Sequence, residues 1–294
     1  MEKNKNSSED IGNKHVSKYD DLISNVDKNL LIKWKNEQDY LKSKLIEYDD
    51  IGFQYDTESD MRFQRIAGMD ISASKSDPNI AIAALVVCDV KTFEILYEKY
   101  ELVIITQPYV PGFLAFREVE HLAKLIEDLK NNRPDLLPQI ILIDGNGILH
   151  SNRFGLACHL GVLCDIPTIG CSKTVFSVDG IDKFKVREQS KLLKSSGDFF
   201  CLTGNSGQTW GVALKSTEET IDPIIVSIGH KISLETSLKI VKNTTKFRVP
   251  EPIRISDKKS RHIINEYNRN NIFEVEKYLN KEFLKKDDNK LSET

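Results

Sequence analysis

Residues 80–87 read IAIAALVV, an almost continuous apolar run. A strand with one wet face alternates apolar and polar residues, so a run like this belongs at the centre of a sheet. Its neighbours in sequence extend the pattern. Residues 63–71 form a strand that carries Asp70 near its end, with Gly68 allowing the backbone to pass close to a neighbour. A third strand runs from Ile95 to Ile105. Asp77, Pro78 and Asn79 make a turn before the second strand, and Asp89, Lys91 and Thr92 suit a hairpin turn before the third. Three strands with short connections predict an antiparallel start.

Beyond Ile105 the pattern changes period. Pro108, Pro111 and Gly112 stiffen a loop, and Leu114, Val119, Leu122, Leu125, Ile126 and Leu129 then line one face of a helix ended by Asn132 and Pro134. A short strand at 140–144 ends in Asp144, the glycines of 145–147 turn the chain, and 154–164 reads as a buried helix. Strands are expected at 166–170, 211–215 and 223–229, with a charged loop or excursion at 180–197. Ser233 caps a helix over 234–242, 249–254 reads as an extended connector, and a final helix spans 256–279. Upstream, Leu30, Leu31, Trp34, Leu41 and Leu45 recur near helical spacing. The sum is one mixed α/β sheet. The expected organisation is a polar leader at 1–27, a single domain at 28–282 and a charged tail at 283–294.

Composition narrows the class. At 294 residues, 40% hydrophobic and 29% charged, the chain is neither fibrous nor wholly disordered. It has no run of 18 apolar residues, and MEKNKNSSED lacks the apolar segment of a cleaved signal, so no membrane association is expected. Cys88, Cys158, Cys164, Cys171 and Cys201 form no CxxC pair, which points to thiols in a reducing compartment. The net charge is −3, yet residues 231–261 hold nine Lys/Arg against three Asp/Glu. A local basic segment of that kind suits a phosphate backbone.

Asp70 and Asp144 end strands, and Glu118 begins a helix after a rigid loop, so the three can converge on one rim of the sheet. Such oxygen ligands suit Mg²⁺ or Mn²⁺; without a cation they would repel and raise each other's pKa values. An Asp at a strand end is commonly only a turn residue. IDGNG is less ordinary, because an acid after three aliphatics is followed by glycines that let a bulky ligand approach. Tyr109, held between Pro108 and Val110, is an aromatic tip able to enter a base stack. Lys173, just past a strand, can face a phosphate. His150, His159 and His230 each read first as structural histidines.

Together these segments resemble the endonuclease V family over roughly residues 60–262. The shared motifs are GMDIS with Asp70, PYVPGFLAFRE with Tyr109 and Glu118, IDGNGILH with Asp144 and His150, FGLACHLGV, PTIGCSK with Lys173, and SIGHKISLETS. The resemblance implies a ribonuclease-H-like fold with a central mixed five-stranded sheet flanked by helices. It implies an acidic metal-binding set of Asp70, Glu118 and Asp144 that holds Mg²⁺, with Mn²⁺ able to substitute. Asp257 matches a further acidic position of animal members. By the same resemblance Lys173 lies near the scissile phosphate, His230 lies near the active site, and Tyr109 belongs to a base wedge with Pro108, Pro111 and Gly112. Gly145, Asn146, Gly147 and His150 complete the substrate contacts.

The implied activity is hydrolysis of the second phosphodiester 3′ to inosine, leaving a 5′-phosphate and a 3′-hydroxyl. The chain departs from common family patterns at His150–Arg153 and at Cys171 and Ser172, which bears on phosphate contacts and spares the carboxylates. Cys158 and the glycines of 145–147 look like the animal branch, so single-stranded inosine RNA is the expected substrate. A deoxyinosine-directed DNA repair endonuclease and a catalytically silent binding module are the alternatives. A monomer in the cytoplasm, with the nucleus as a second compartment, is expected.

Overall fold

The structure, a computed structural model, describes residues 26–52 and 63–279. Of the expected leader only residues 26 and 27 fall within that range, and the expected tail at 283–294 lies outside it. Among the described residues eight strands form one sheet: β1 (Arg65–Ala73), β2 (Ile80–Asp89), β3 (Ile95–Ile104), β4 (Ile140–Ile143), β5 (Thr168–Ser172), β6 (Phe199–Thr203), β7 (Thr209–Leu214) and β8 (Ile224–His230). Their spatial order is β3-β2-β1-β4-β5-β8-β7-β6. The pairs β1–β4 and β4–β5 are parallel, and the other neighbours are antiparallel.

The helices among the described residues are α1 (Lys28–Lys42), α2 (Ala115–Asn132), α3 (Leu156–Cys164), α4 (Lys183–Ser190), α5 (Leu234–Asn243), α6 (Glu251–Asn268) and α7 (Ile272–Leu279). The architecture is the expected α/β, ribonuclease-H-like one, with a correction to its size. The sheet has eight strands, not five: the mixed set β3-β2-β1-β4-β5 continues into an antiparallel ladder of β8, β7 and β6.

The apolar run at 80–87 is explained by its place. In β2, Ala81, Ala83, Leu85 and Val87 pack in the same cluster as Val119, Leu122, Leu125 and Leu129 of α2. Ile82, Ala84, Val86 and Cys88 pack with Ile263 and Ile264 of α6 and Val275 of α7. Both faces are therefore dry, and all eight of these β2 residues have no solvent exposure. Burying a side chain of Val, Leu or Ile size contributes roughly 1.5–3 kcal/mol, so this strand anchors the sheet from both sides.

Gly68 lies under α6. A Cβ at that position would fall 2.1 Å from the Pro252 carbonyl carbon, so only glycine lets α6 approach β1 this closely.

Three local expectations need correction. The 249–254 segment is not wholly an extended connector, because α6 begins at Glu251 with Pro252 in its first turn. Proline is tolerated there, where its missing N–H has no intrahelical partner anyway. The single final helix is two, broken around Asn270, whose φ of 58° is left-handed. The 180–197 excursion contains α4, whose N-cap Asp182 accepts hydrogen bonds from the N–H groups of Phe184 and Lys185. Only Val186 and Ser190 of α4 are buried, so it leaves little periodic signal. Strand β6 is an addition to the expected set; as an edge strand it buries only Leu202.

Candidate active site

Parallel pairing of β1 with β4 places the first two carboxylates together. Met69 is in register with Ile143, and the Asp144 N–H donates to the Met69 carbonyl at 3.1 Å. Asp70 and Asp144 are thus the next residues on two adjacent strands. Helix α6 crosses the same face and brings Asp257. Asp70, Asp144 and Asp257 offer carboxylate oxygens that all lie within 4.8 Å of one another.

Asp70 is nearly buried, and its Oδ2 accepts hydrogen bonds from Ser260 Oγ at 2.8 Å and Ser72 Oγ at 2.9 Å. Burial, then the neighbouring Asp144 and Asp257 charges, outweigh those hydroxyls and push its pKa up to about 6. Arg261 donates to Asp257 Oδ1 from Nη2 at 2.6 Å and from Nε at 2.9 Å, fixing that carboxylate on its helix.

Lys173 follows β5 and reaches back across the cluster. Its Nζ lies 2.6 Å from Asp144 Oδ2 and 3.4 Å from Asp257 Oδ1. Burial alone would lower its pKa, but the carboxylates of Asp144, Asp257 and Asp70 together outweigh this and hold it above the ordinary lysine value. Glu118 stands in the first turn of α2 and lines the same cleft without joining the close trio. Its carboxyl is pushed up to about 7 by burial, then by Asp70 and Asp144, with Arg117 opposing. Three close hard-oxygen ligands whose mutual repulsion raises a pKa are chemically fitted to a divalent cation.

The cleft beside the carboxylates has a volume of about 660 Å³. Its other walls carry Tyr109, Pro111, Gly112, Gly145, Asn146 and His150. Tyr109 is 44% exposed at the rim, with the Arg117 guanidinium 5.8 Å from its ring centre. Pro108 and Gly147 do not line the cleft. Gly147 is packed so tightly that a Cβ would fall 1.8 Å from the Ile228 carbonyl oxygen.

Asn146 Oδ1 is buried with no hydrogen-bond partner among the described residues. His150 is kept neutral by burial, which pushes its pKa down to about 4, and its ring lies 5.2 Å from that of Phe176. Its Nδ1 accepts from the Asn152 N–H at 3.4 Å. His159 is a core residue between Phe116 and Phe154.

His230 is not brought to the cluster. It pairs with Thr168 at the start of β5, whereas Lys173 follows the end of that strand. Because β8 runs antiparallel to β5, its last residue is carried to the far end of the sheet. There His230 Nδ1 accepts from the Ile46 N–H at 3.3 Å, and Nε2 is 3.9 Å from Asp165.

Two residues of α1 support the cleft and were not singled out as site residues in the sequence. Gln38, fully buried, donates from Nε2 to the carbonyls of Gly112 and Phe154, both at 3.3 Å, and accepts from Asn152 Nδ2 at 2.5 Å. One amide thus ties the Tyr109 loop to the loop after the 145–147 turn. Trp34 stacks on Phe116 at 5.1 Å and shares a cluster with Val110, the residue after Tyr109. A Gln on an amphipathic helix carries no such signal by itself; its position on the buried stripe with Trp34 and Leu41 was the available clue.

A carboxylate trio fitted to a divalent cation, with a lysine beside it on the rim of a ribonuclease-H-like sheet, has the chemistry that metal-assisted phosphodiester hydrolysis requires. The endonuclease V family profile matches residues 51–258. Endonuclease V of Mus musculus is 43% identical over 232 residues, covering 79% of this chain and 68% of the relative; that of Homo sapiens is 42% identical, covering 79% and 82%. The crystal structure of the catalytic domain of human endonuclease V superposes with a TM-score of 0.78 at 39% identity, covering 82% of this chain and 98% of that one. A variant of Ciona intestinalis endonuclease V, in complex with a 23mer DNA containing an inosine followed by a ribo-adenosine, gives 0.76 at 34% identity, covering 82% and 100%. The chain belongs to the endonuclease V family and is a nuclease.

Proposed function

We propose that this protein cleaves single-stranded RNA at the second phosphodiester 3′ to inosine, leaving a 5′-phosphate and a 3′-hydroxyl. The observation that carries the proposal is the adjacency of a base-sized cleft, rimmed by Tyr109, to the Asp70–Asp144–Asp257 cluster. Those three carboxylates would hold Mg²⁺ or Mn²⁺, and Glu118 faces the same space. When bound, the cation supplies Lewis acidity and lowers the pKa of water.

The protein's own groups do the rest. Lys173, held 2.6 Å from Asp144 at the edge of the cluster, is placed to offset charge that develops on the phosphoryl oxygens. Glu118, at the start of α2, faces the same space and is placed to orient the attacking water or to hold a second cation. Tyr109 fills the gap left in the stack by an extruded base. Hypoxanthine presents an N1–H donor where adenine presents an acceptor, and Asn146, which lines the cleft, carries an amide able to read that difference. His230, remote from the cluster, has no part in the proposed chemistry.

The Ciona relative was crystallised with a ribonucleotide directly after inosine. That supports a site that accepts a 2′-hydroxyl near the cut, and with it RNA over DNA as the substrate of this chain. The five cysteines are all free, which suits action in the cytoplasm or nucleus. The test compares three inosine strands of one sequence at matched salt: RNA, DNA, and DNA with one ribonucleotide 3′ to inosine. RNA is expected to be cut fastest, and the chimera to recover much of that rate. Equal rates on all three would replace this assignment with a general deaminated-base endonuclease, and a faster rate on DNA would replace it with DNA repair.

A further inference from the structure

A second cleft, of about 290 Å³, adjoins the first and shares Lys173 and Thr174 with it. Its other walls come from α4, from the start of β8 and from the segment before α6. Lys183 and Arg187 are one helical turn apart on α4 and both exposed, so their side chains share a face. Arg248 lies across from them. Its Nη2 donates to the Lys173 carbonyl at 2.7 Å and the Pro223 carbonyl at 3.2 Å, while its Nε is buried with no partner among the described residues. Asp222 is the one carboxylate among the lining residues, and it already stands 3.7 Å from Arg187 Nε. Val175, Val186 and Ile225 supply an apolar floor. Cationic walls over an apolar floor match a nucleotide, whose phosphate is charged and whose sugar and base offer apolar faces.

Position gives the cleft its meaning. Along the rim of the sheet the order is Asp70 after β1's midpoint, Asp144 after β4, Lys173 after β5, and Pro223 before β8. The base-binding cleft includes the carboxylates, and the second cleft begins where Lys173 ends it. A strand seated with its inosine in the first cleft and its scissile phosphate at the carboxylates finds the second cleft directly beyond Lys173. We propose that the second cleft is a subsite for the strand on the 3′ side of the cut, with Lys183, Arg187 and Arg248 facing its backbone phosphates. This rests on the inosine-directed function proposed above, and it assigns a use to Arg248 within the basic 231–261 segment.

The test uses the full chain with Lys183 and Arg187 both replaced by alanine; both side chains are exposed, so the fold should be retained, and circular dichroism checks it. Equilibrium binding is measured with Ca²⁺ on three inosine RNAs: one extended by several nucleotides 3′ of the cut, one ending just after it, and one extended only on the 5′ side. The double variant is expected to bind the 3′-extended strand roughly tenfold more weakly. Its salt slope should be reduced by about 1.4, or about 0.7 for each phosphate that is no longer neutralised. Its affinity for the other two strands should match the parent's. A weakening that is equal on all three strands, that follows the 5′ extension, or that is absent would overturn the subsite. Parent protein that binds inosine and inosine-free strands equally would instead overturn the function on which it rests, so the two failures read differently.

Discussion

The carboxylate side of the cleft and its Tyr109 side rest on different supports. Asp70 sits on β1, Asp144 directly follows β4, Lys173 directly follows β5, and Asp257 comes from a helix packed on them. Their spacing is set by strand register, which cannot slip without moving every side chain on the strand. Tyr109, Asn146 and His150 sit on loops, and two of those loops are fastened by the buried amide of Gln38 on α1. Most of the proposed chemistry therefore stands on the sheet, while the proposed recognition stands on loops braced by a helix that lies outside the matched family segment. The difference teaches that the two functions should fail separately.

The largest expected effect is on the sheet side. Asp70→Ala and Asp144→Ala should each nearly abolish cleavage while leaving the fold intact, because each would remove a proposed cation ligand and not an apolar core side chain. Single-turnover rates with Mg²⁺ at saturating protein, beside circular dichroism, check this. Near-parent activity in either variant would remove that residue from the essential set.

On the loop side, Tyr109→Ala should weaken binding of an inosine strand by about 1–3 kcal/mol, the usual worth of one base stack, with Mn²⁺ affinity unchanged. Unchanged binding and unchanged rate together would give the ring a purely structural role. Gln38→Met keeps the side-chain volume but leaves the Gly112 and Phe154 carbonyls and the Asn152 amide without this partner. Inosine-strand binding should weaken, because the two loops lose their common tie, again with Mn²⁺ affinity retained. If Mn²⁺ binding falls as far as strand binding, the two sides are not mechanically separate and the comparison fails.

The smallest effect is on stability against pH without added metal. Burial and neighbouring charge raise the folded-state pKa of Asp70 to about 6 and of Glu118 to about 7. Between about pH 4 and 7 the folded protein then holds protons that the unfolded chain has released. Their contribution is full below the ordinary carboxylate range and is lost as pH rises through 6 and 7. Melting temperature of metal-free protein should fall over that window, Mg²⁺ should reduce the fall, and Asp70→Asn should flatten it. A rise with pH attributable to Asp70 would contradict the assigned environment.

Much of this was legible in the letters. Residues 80–87 marked the central strand because both of its faces are buried, and Asp70, Tyr109, Glu118, Asp144 and Lys173 lay in short motifs whose order matched a family. What was hidden depended on direction and distance. His230 belonged to a matching motif, yet the antiparallel course of β8 takes it away from Lys173. Asp257, placed only by resemblance and just beyond a connector misread as extended, joins the close trio because α6 starts early and crosses β1. Gln38 gave only its place on the stripe with Trp34 and Leu41, since a hydrogen-bond bridge that spans 74 and 116 positions of sequence has no local pattern. Helix α4 and strand β6 were missed because each buries so little.

The most direct test of the central claim, that one metal-bearing carboxylate corner cuts where the adjoining cleft has taken an inosine, is a product map on paired RNAs. The parent protein and Asp144→Asn are incubated with identical strands carrying inosine or adenosine at one position, with Mg²⁺ or with chelator. Cleavage is predicted only for parent protein, inosine and Mg²⁺ together, at the second phosphodiester 3′ to inosine, with a 5′-phosphate on the downstream product. Cutting that persists in chelator, in Asp144→Asn at the parent rate, or in the adenosine strand would contradict it.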